Sequence, residues 1–139
     1  MQKNNTGSLD TNILLRLVIG DIPEQTRLIH ELLENVTVLQ VADIVIFEMV
    51  FILDKYYELS RKDIIESLYT VIRHEKINCN RWLFESAITK YMENPKLSFV
   101  DCTLPYYAAL NNAVPLYTFD QALAKASPDN VTLLMSHGT

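Results

Sequence analysis

The sequence predicts an α/β domain, a three-layer α/β/α arrangement around a short, mostly parallel central sheet of four or five strands. Three observations carry this reading. Short β-branched or apolar runs, "VTVLQV", "VPLYTF" and "VTLLM", alternate with longer stretches of helical periodicity, and strands separated by helices pair in parallel under helical cover. The 139 residues match one ordinary domain, and 49% hydrophobic residues are ample for one core. With only 3 Gly and 5 Pro, no low-complexity tract and no internal repeat, the chain reads as a single domain over residues 1–139.

The elements follow in order. A helix over about 12–19 succeeds "LDTN", and a second over 23–35 has Pro23 in its first turn and Leu28, Leu32 and Leu33 on one face. Residues 36–41 form a short β-branched strand, after which Asp43 caps the long apolar helix "IVIFEMVFILDKYYE". Ser60 and Asp63 make a capping box for a helix through His74. The extended "KINC" leads into a helix over about 81–92, which Asn94-Pro95 ends. "LSFVDCTLPYYAALNN" carries a helix from about Phe99, followed by the strand "VPLYTF", the short helix "QALAKA" and the strand "VTLLM". Sites in such sheets lie at the carboxyl ends of the strands.

Charge and composition exclude several classes. No apolar window is long enough to span a membrane, and the start "MQKNNTGS" has no signal-peptide core, so a cytoplasmic protein without membrane association is expected. Cys79 and Cys102 form neither a disulfide framework nor a CxxC zinc motif and read as reduced structural residues. A net charge of −5 argues against holding nucleic acid by an overall field. Local groups of cations remain, Lys55, Arg61 and Lys62 in one place and Arg73 and Lys76 in another. They fit solvated helix ends and phosphate contacts equally well.

The acids stand out. Glu48 lies within Ile44-Val45-Ile46-Phe47-Glu48-Met49-Val50-Phe51-Ile52-Leu53. Isolated burial of a carboxylate costs several kcal/mol, so there it reads as buried and in need of a partner. An exposed stripe is the alternative, against which Ile44 and Ile52 stand on the same stripe. Asp101 has apolar neighbours too, although Ser98-x-x-Asp101 also fits a capping box. Asp120 ends an apolar strand and doubles as an N-cap, and Asp10 stands at a strand-to-helix junction. If these four converge, each pair at ~5 Å repels by roughly 3 kcal/mol at an effective dielectric of 20, which a divalent cation relieves. Oxygen donors without His or Cys select Mg²⁺ or Mn²⁺. Such an ion supports hydrolysis of a phosphodiester.

Four pieces, "LDTNILLRL", "ADIVIFEMVFILDKYYELSRKDI", "NPKLSFVDCTL" and "VPLYTFDQALAK", in this order and spacing, make the chain resemble PIN-domain ribonucleases, in particular VapC-like toxins of toxin-antitoxin pairs. The likeness runs from about Leu9 to Lys125. It implies that Asp10, Glu48, Asp101 and Asp120 form a catalytic metal-binding pocket supported by hydrogen bonds from Asn12 and Thr118. It also implies cleavage of single-stranded or loop RNA with Mg²⁺ or Mn²⁺, silencing by a small antitoxin protein, and a homodimer. Against the family pattern, the polar, turn-prone Asn4-Asn5-Thr6-Gly7-Ser8 predicts a first strand that is short or weakly paired. Pro105 interrupts the helix near Asp101 if that helix begins at Phe99, and is harmless if it begins at Thr103. Asn111-Asn112 stands where the family has Gly, and Asn can still take a left-handed C-cap conformation.

Tyr106, Tyr107, Trp82 and Tyr117 sit beside apolar residues at helix or strand spacing and read as core rather than base-stacking groups. His30, His74 and His137 fall on expected exposed positions and carry no assigned chemistry. Lys55, seven residues beyond Glu48, reads as a snorkelling surface lysine with phosphate contact as the alternative. Rival readings are a nuclease of the same fold acting in RNA processing or repair without an antitoxin, and a non-catalytic interaction module. A phosphoacceptor receiver domain needs a lysine near the last acidic strand end and has no use for a helix-buried glutamate such as Glu48 is read to be.

Overall fold

The computed structural model describes residues 5–136, so Met1–Asn4 of the polar start and His137 lie outside the described residues. The chain is α/β with seven helices and five short strands, every strand pairing parallel among the described residues. The strands fall into two sheets of three and two rather than one continuous sheet, and the chain divides into two compact units at Arg81/Trp82.

The first unit is built on β1 (Thr6–Ser8), β2 (Val38–Gln40) and β3 (Ile77–Asn78) in the order β1-β2-β3, with Ser8 opposite Gln40 and Gln40 opposite Asn78. All three residues of β1 are exposed, which follows from its polar composition; the strand is short yet fully paired along its length. Around the sheet stand α1 (Thr11–Ile19), α2 (Pro23–Asn35), α3 (Asp43–Lys55) and α4 (Arg61–Ile72). α1 packs on α2, α3 and α4, and α3 on α4. Their core is Leu14, Leu15, Ile46, Met49, Leu53, Ile64 and Leu68, each at most 2% exposed. Fully burying one such aliphatic side chain is worth about 1.5–3 kcal/mol.

The caps explain the boundaries. Gly20 closes α1 at φ 67°, a left-handed conformation that glycine takes without a Cβ penalty. Ser60 caps α4 through a bond from the Asp63 N–H at 3.1 Å, as the sequence pattern suggested. Asp43 is not the cap of α3: Ala42 holds that position without a side-chain bond, and Asp43 is the first helical residue, where an acid still favours the helix dipole. His74 is half-buried rather than exposed, its Nδ1 accepting from the Lys76 N–H at 3.1 Å just after α4 has ended.

The second unit comprises α5 (Arg81–Glu93), α6 (Phe99–Leu110), α7 (Gln121–Ala126) and the pair β4 (Leu116–Thr118) with β5 (Val131–Leu133). Its core includes an aromatic group: Phe84 stacks on Phe99 at 6.2 Å and Tyr91 meets Phe99 edge-on at 5.5 Å. The Lys90 ammonium donates to the Ala126 carbonyl, tying α5 to the end of α7. Asn112 takes φ 53° just beyond α6, the left-handed position in which Asn replaces glycine. Among the described residues no helix is long and apolar enough to cross a membrane.

Candidate functional site

Asp10 is placed by the end of β1. Leu9 is buried and donates its N–H to the Gln40 carbonyl at 3.0 Å, after which the extended backbone of Asp10 turns into α1. One oxygen of Asp10, Oδ1, accepts from the Ile13 N–H at 3.0 Å, so the residue is the helix cap. It is exposed, and with Asn12, Ile13, Arg16, Leu28 and Leu32 it lines a cavity of about 340 Å³ between α1 and α2. Asn12 is exposed within that lining, and Arg16 is held in place by Asp21 and by the Tyr57 hydroxyl at 3.1 Å.

Glu48 departs from expectation. It is exposed, not buried, and Ile44 on the same stripe is 75% exposed, so this is the open stripe of α3. The buried face consists of Ile46, Met49, Val50 and Leu53, at helical spacing. In a helix apolar all round, hydrophobicity does not reveal which stripe faces the core; packing against α1 and α4 decides it here. Desolvation therefore gives no argument for Glu48. What stands is a solvent-accessible carboxylate on a helix that packs against α1, the helix Asp10 caps.

Asp101 occupies the first turn of α6, its N–H donating to Ser98 Oγ at 3.1 Å, and is half-buried. Since α6 starts at Phe99, Pro105 lies inside the helix and the Asp101 carbonyl receives no bond from residue 105. Asp120 caps α7, with Oδ1 accepting from the Leu123 N–H at 3.1 Å, while its own N–H donates to Thr118 Oγ1 at 3.0 Å. Thr118, the last residue of β4, thereby fixes the backbone that carries Asp120.

Asp10 and Glu48 thus belong to the first unit, Asp101 and Asp120 to the second. Among the described residues no group of three or more His, Cys, Asp or Glu is gathered into a metal site. The chemistry of the four acids nevertheless suits a hard divalent cation. All are oxygen donors reachable from solvent, and capping occupies only one of roughly four lone-pair sites on a carboxylate. The sequence reading missed the amide pair Asn78 Nδ2 to Gln40 Oε1, 2.9 Å, at the carboxyl ends of β3 and β2; the only signal for it is that two polar residues end otherwise apolar strands.

A family model for the PIN domain matches residues 8–127, from the last residue of β1 to just beyond α7, and all four acids lie within the match. The chain belongs to the PIN-domain family. PIN domains are generally nucleases that use divalent metal ions, so this is a nuclease-type fold, and the α/β class expected from sequence is the one observed. No curated protein matches the sequence.

Within this PIN domain the cations and aromatics are placed differently from a simple surface-and-core division. Lys55 ends α3, where a cation suits the dipole, and pairs with Asp54 at 3.5 Å. Arg61 and Lys62 open α4, the end at which the dipole disfavours positive charge, so macrodipole matching does not account for them. Trp82, Tyr107 and Tyr117 are 54%, 40% and 61% exposed and are not core residues. Tyr106 is half-buried edge-on to Trp82, and burial, aided by Glu93 and Cys102, raises its hydroxyl above the ordinary phenol range.

Proposed function

We propose that this PIN domain is an endoribonuclease dependent on Mg²⁺ or Mn²⁺ and acts as the toxin of a toxin-antitoxin pair. The observation that carries the reading is the family match over residues 8–127 with Asp10, Glu48, Asp101 and Asp120 all present as solvent-accessible carboxylates. These four are the residues that would hold the ion. When bound, a divalent ion of this kind draws in phosphate oxygens and makes a water acidic enough for in-line attack on a phosphodiester. The protein's own contribution is to position the donors: the Ile13 and Leu123 N–H groups orient Asp10 and Asp120, Thr118 holds the backbone of Asp120, and Ser98 sets the first turn around Asp101. Asn12 offers an exposed carboxamide two residues beyond Asp10, and Lys55, Arg61 and Lys62 offer charge for the substrate backbone.

Two partners belong to the same proposal. Leu28 and Leu32, 51% and 37% exposed, form an apolar wall to the cavity that Asp10 lines, which supports an antitoxin segment lying there and covering the carboxylate. Ile44 and Phe51, 75% and 56% exposed on α3, support association with a second copy of the chain.

The test is cleavage of a single-stranded RNA by the purified protein with Mg²⁺ or Mn²⁺ and with EDTA. The expected outcome is cutting only with metal, reduced to background in Asp10→Asn and Glu48→Gln with circular dichroism unchanged. Metal-independent cutting, or full activity in both variants, would sink the proposal. For the toxin role, expression should arrest bacterial growth in the wild type and not in Asp10→Asn; normal growth with an active nuclease leaves the enzyme and removes the toxin.

A further inference from the structure

The nuclease reading gives no task to the outer face of the β4–β5 pair. Alternation along these strands turns Leu116, Thr118, Val131 and Leu133 inward, where they are buried or half-buried. Tyr117 and Phe119 are 61% and 80% exposed, with Thr132 paired to Tyr117 and the exposed Leu134 beside them. Thr118, between the two aromatic residues, accepts the N–H of Asp120, so both rings and the carboxylate ride on one short stretch of backbone.

We infer that Tyr117 and Phe119 form a stacking platform for an unpaired nucleobase of the RNA, next to the phosphodiester that is cut. The inference deepens the nuclease proposal and rests on it for the identity of the ligand. Two arguments select a base over a protein surface. A fully exposed aromatic side chain offers about 150–250 Å², so these two at their exposure present roughly 300 Å². That is well short of the ~800 Å² per partner of a stable protein interface but ample for one or two bases. A chain of net charge −5 with an acid at this position also needs a hold on RNA that does not depend on its field, and stacking on aromatic faces supplies one. Duplex RNA keeps its base faces covered, so the platform would select unpaired segments.

The experiment uses the full chain and a short fluorescein-labelled oligouridylate, with binding read by anisotropy in EDTA and cleavage read with Mn²⁺. Phe119→Ala and Tyr117→Ala should each weaken binding roughly 5- to 150-fold, the range for loss of one stacked base, and raise KM more than they lower kcat. Phe119→Tyr should restore binding. An abasic nucleotide at one position should weaken wild-type binding by a similar factor and have no further effect on Phe119→Ala. Alanine variants that bind and cut like the wild type overturn the platform while leaving the nuclease intact. Binding that depends on the rings, in a protein that never cuts RNA, supports the platform and removes the nuclease. Variants that change molecular mass by light scattering but not RNA binding identify a protein contact and overturn the inference.

Discussion

Asp10 has two separable roles in a single carboxylate, a helix cap and a candidate metal ligand. Asparagine caps a helix as well as aspartate does, whereas alanine does not. Asp10→Asn should therefore keep the stability of the wild type and lose cleavage, while Asp10→Ala should lose cleavage and about 1 kcal/mol besides, measured by urea denaturation. Equal stability of the two variants would mean that the Ile13 bond contributes nothing. Glu48 teaches the converse lesson. Its apolar neighbours suggested burial, but a single glutamate in an apolar helix marks the solvent stripe at least as readily, and Ile44 beside it is exposed as well. Tyr117 and Phe119 were equally illegible as surface residues, because an aromatic residue in a short strand has the same sequence signature on either face.

At the scale of elements, helices were read more closely than strands. The span 23–35 and the helix "QALAKA" match α2 and α7, since a proline start and a cap are local signals. The strands came out shorter than their apolar runs: of "VPLYTF" only Leu116–Thr118 pair, because a ladder extends only as far as its neighbour, and β5 has three residues. α6 also settles the place of Pro105, inside the helix because the helix starts at Phe99, and it makes Ser98 the anchor of the turn bearing Asp101. Ser98→Ala should cost about 1 kcal/mol in urea denaturation and raise the Mg²⁺ concentration needed for half-maximal cleavage, with Ser98→Thr close to wild type. A stability loss without a change in metal requirement would separate Asp101 from the metal.

For the whole molecule, a ligand that binds only the folded chain stabilises it, by about 2.7 kcal/mol at a hundredfold excess over Kd. Mn²⁺ should then raise the Tm of the wild type by several degrees and that of Glu48→Gln much less, read by differential scanning calorimetry. A Tm insensitive to Mn²⁺ in the wild type would count against a metal held by the four carboxylates. The small net charge of −5 carries a related lesson: composition excluded RNA binding by overall field but could not locate the cations, and Arg61 and Lys62 open α4 rather than close a helix.

The sequence by itself determined the order of the elements, through the alternation of strand and helix patterns that gives the α/β class, and the capping positions of Ser60, Ser98 and Asp120, because a cap depends on residues within a few positions of one another. Only the tertiary structure decided that the strands form sheets of three and two, that Glu48 faces solvent, and that Tyr117 and Phe119 lie open beside Asp120. Which face of an apolar element is covered depends on what packs against it, and that is set by chain segments distant in sequence.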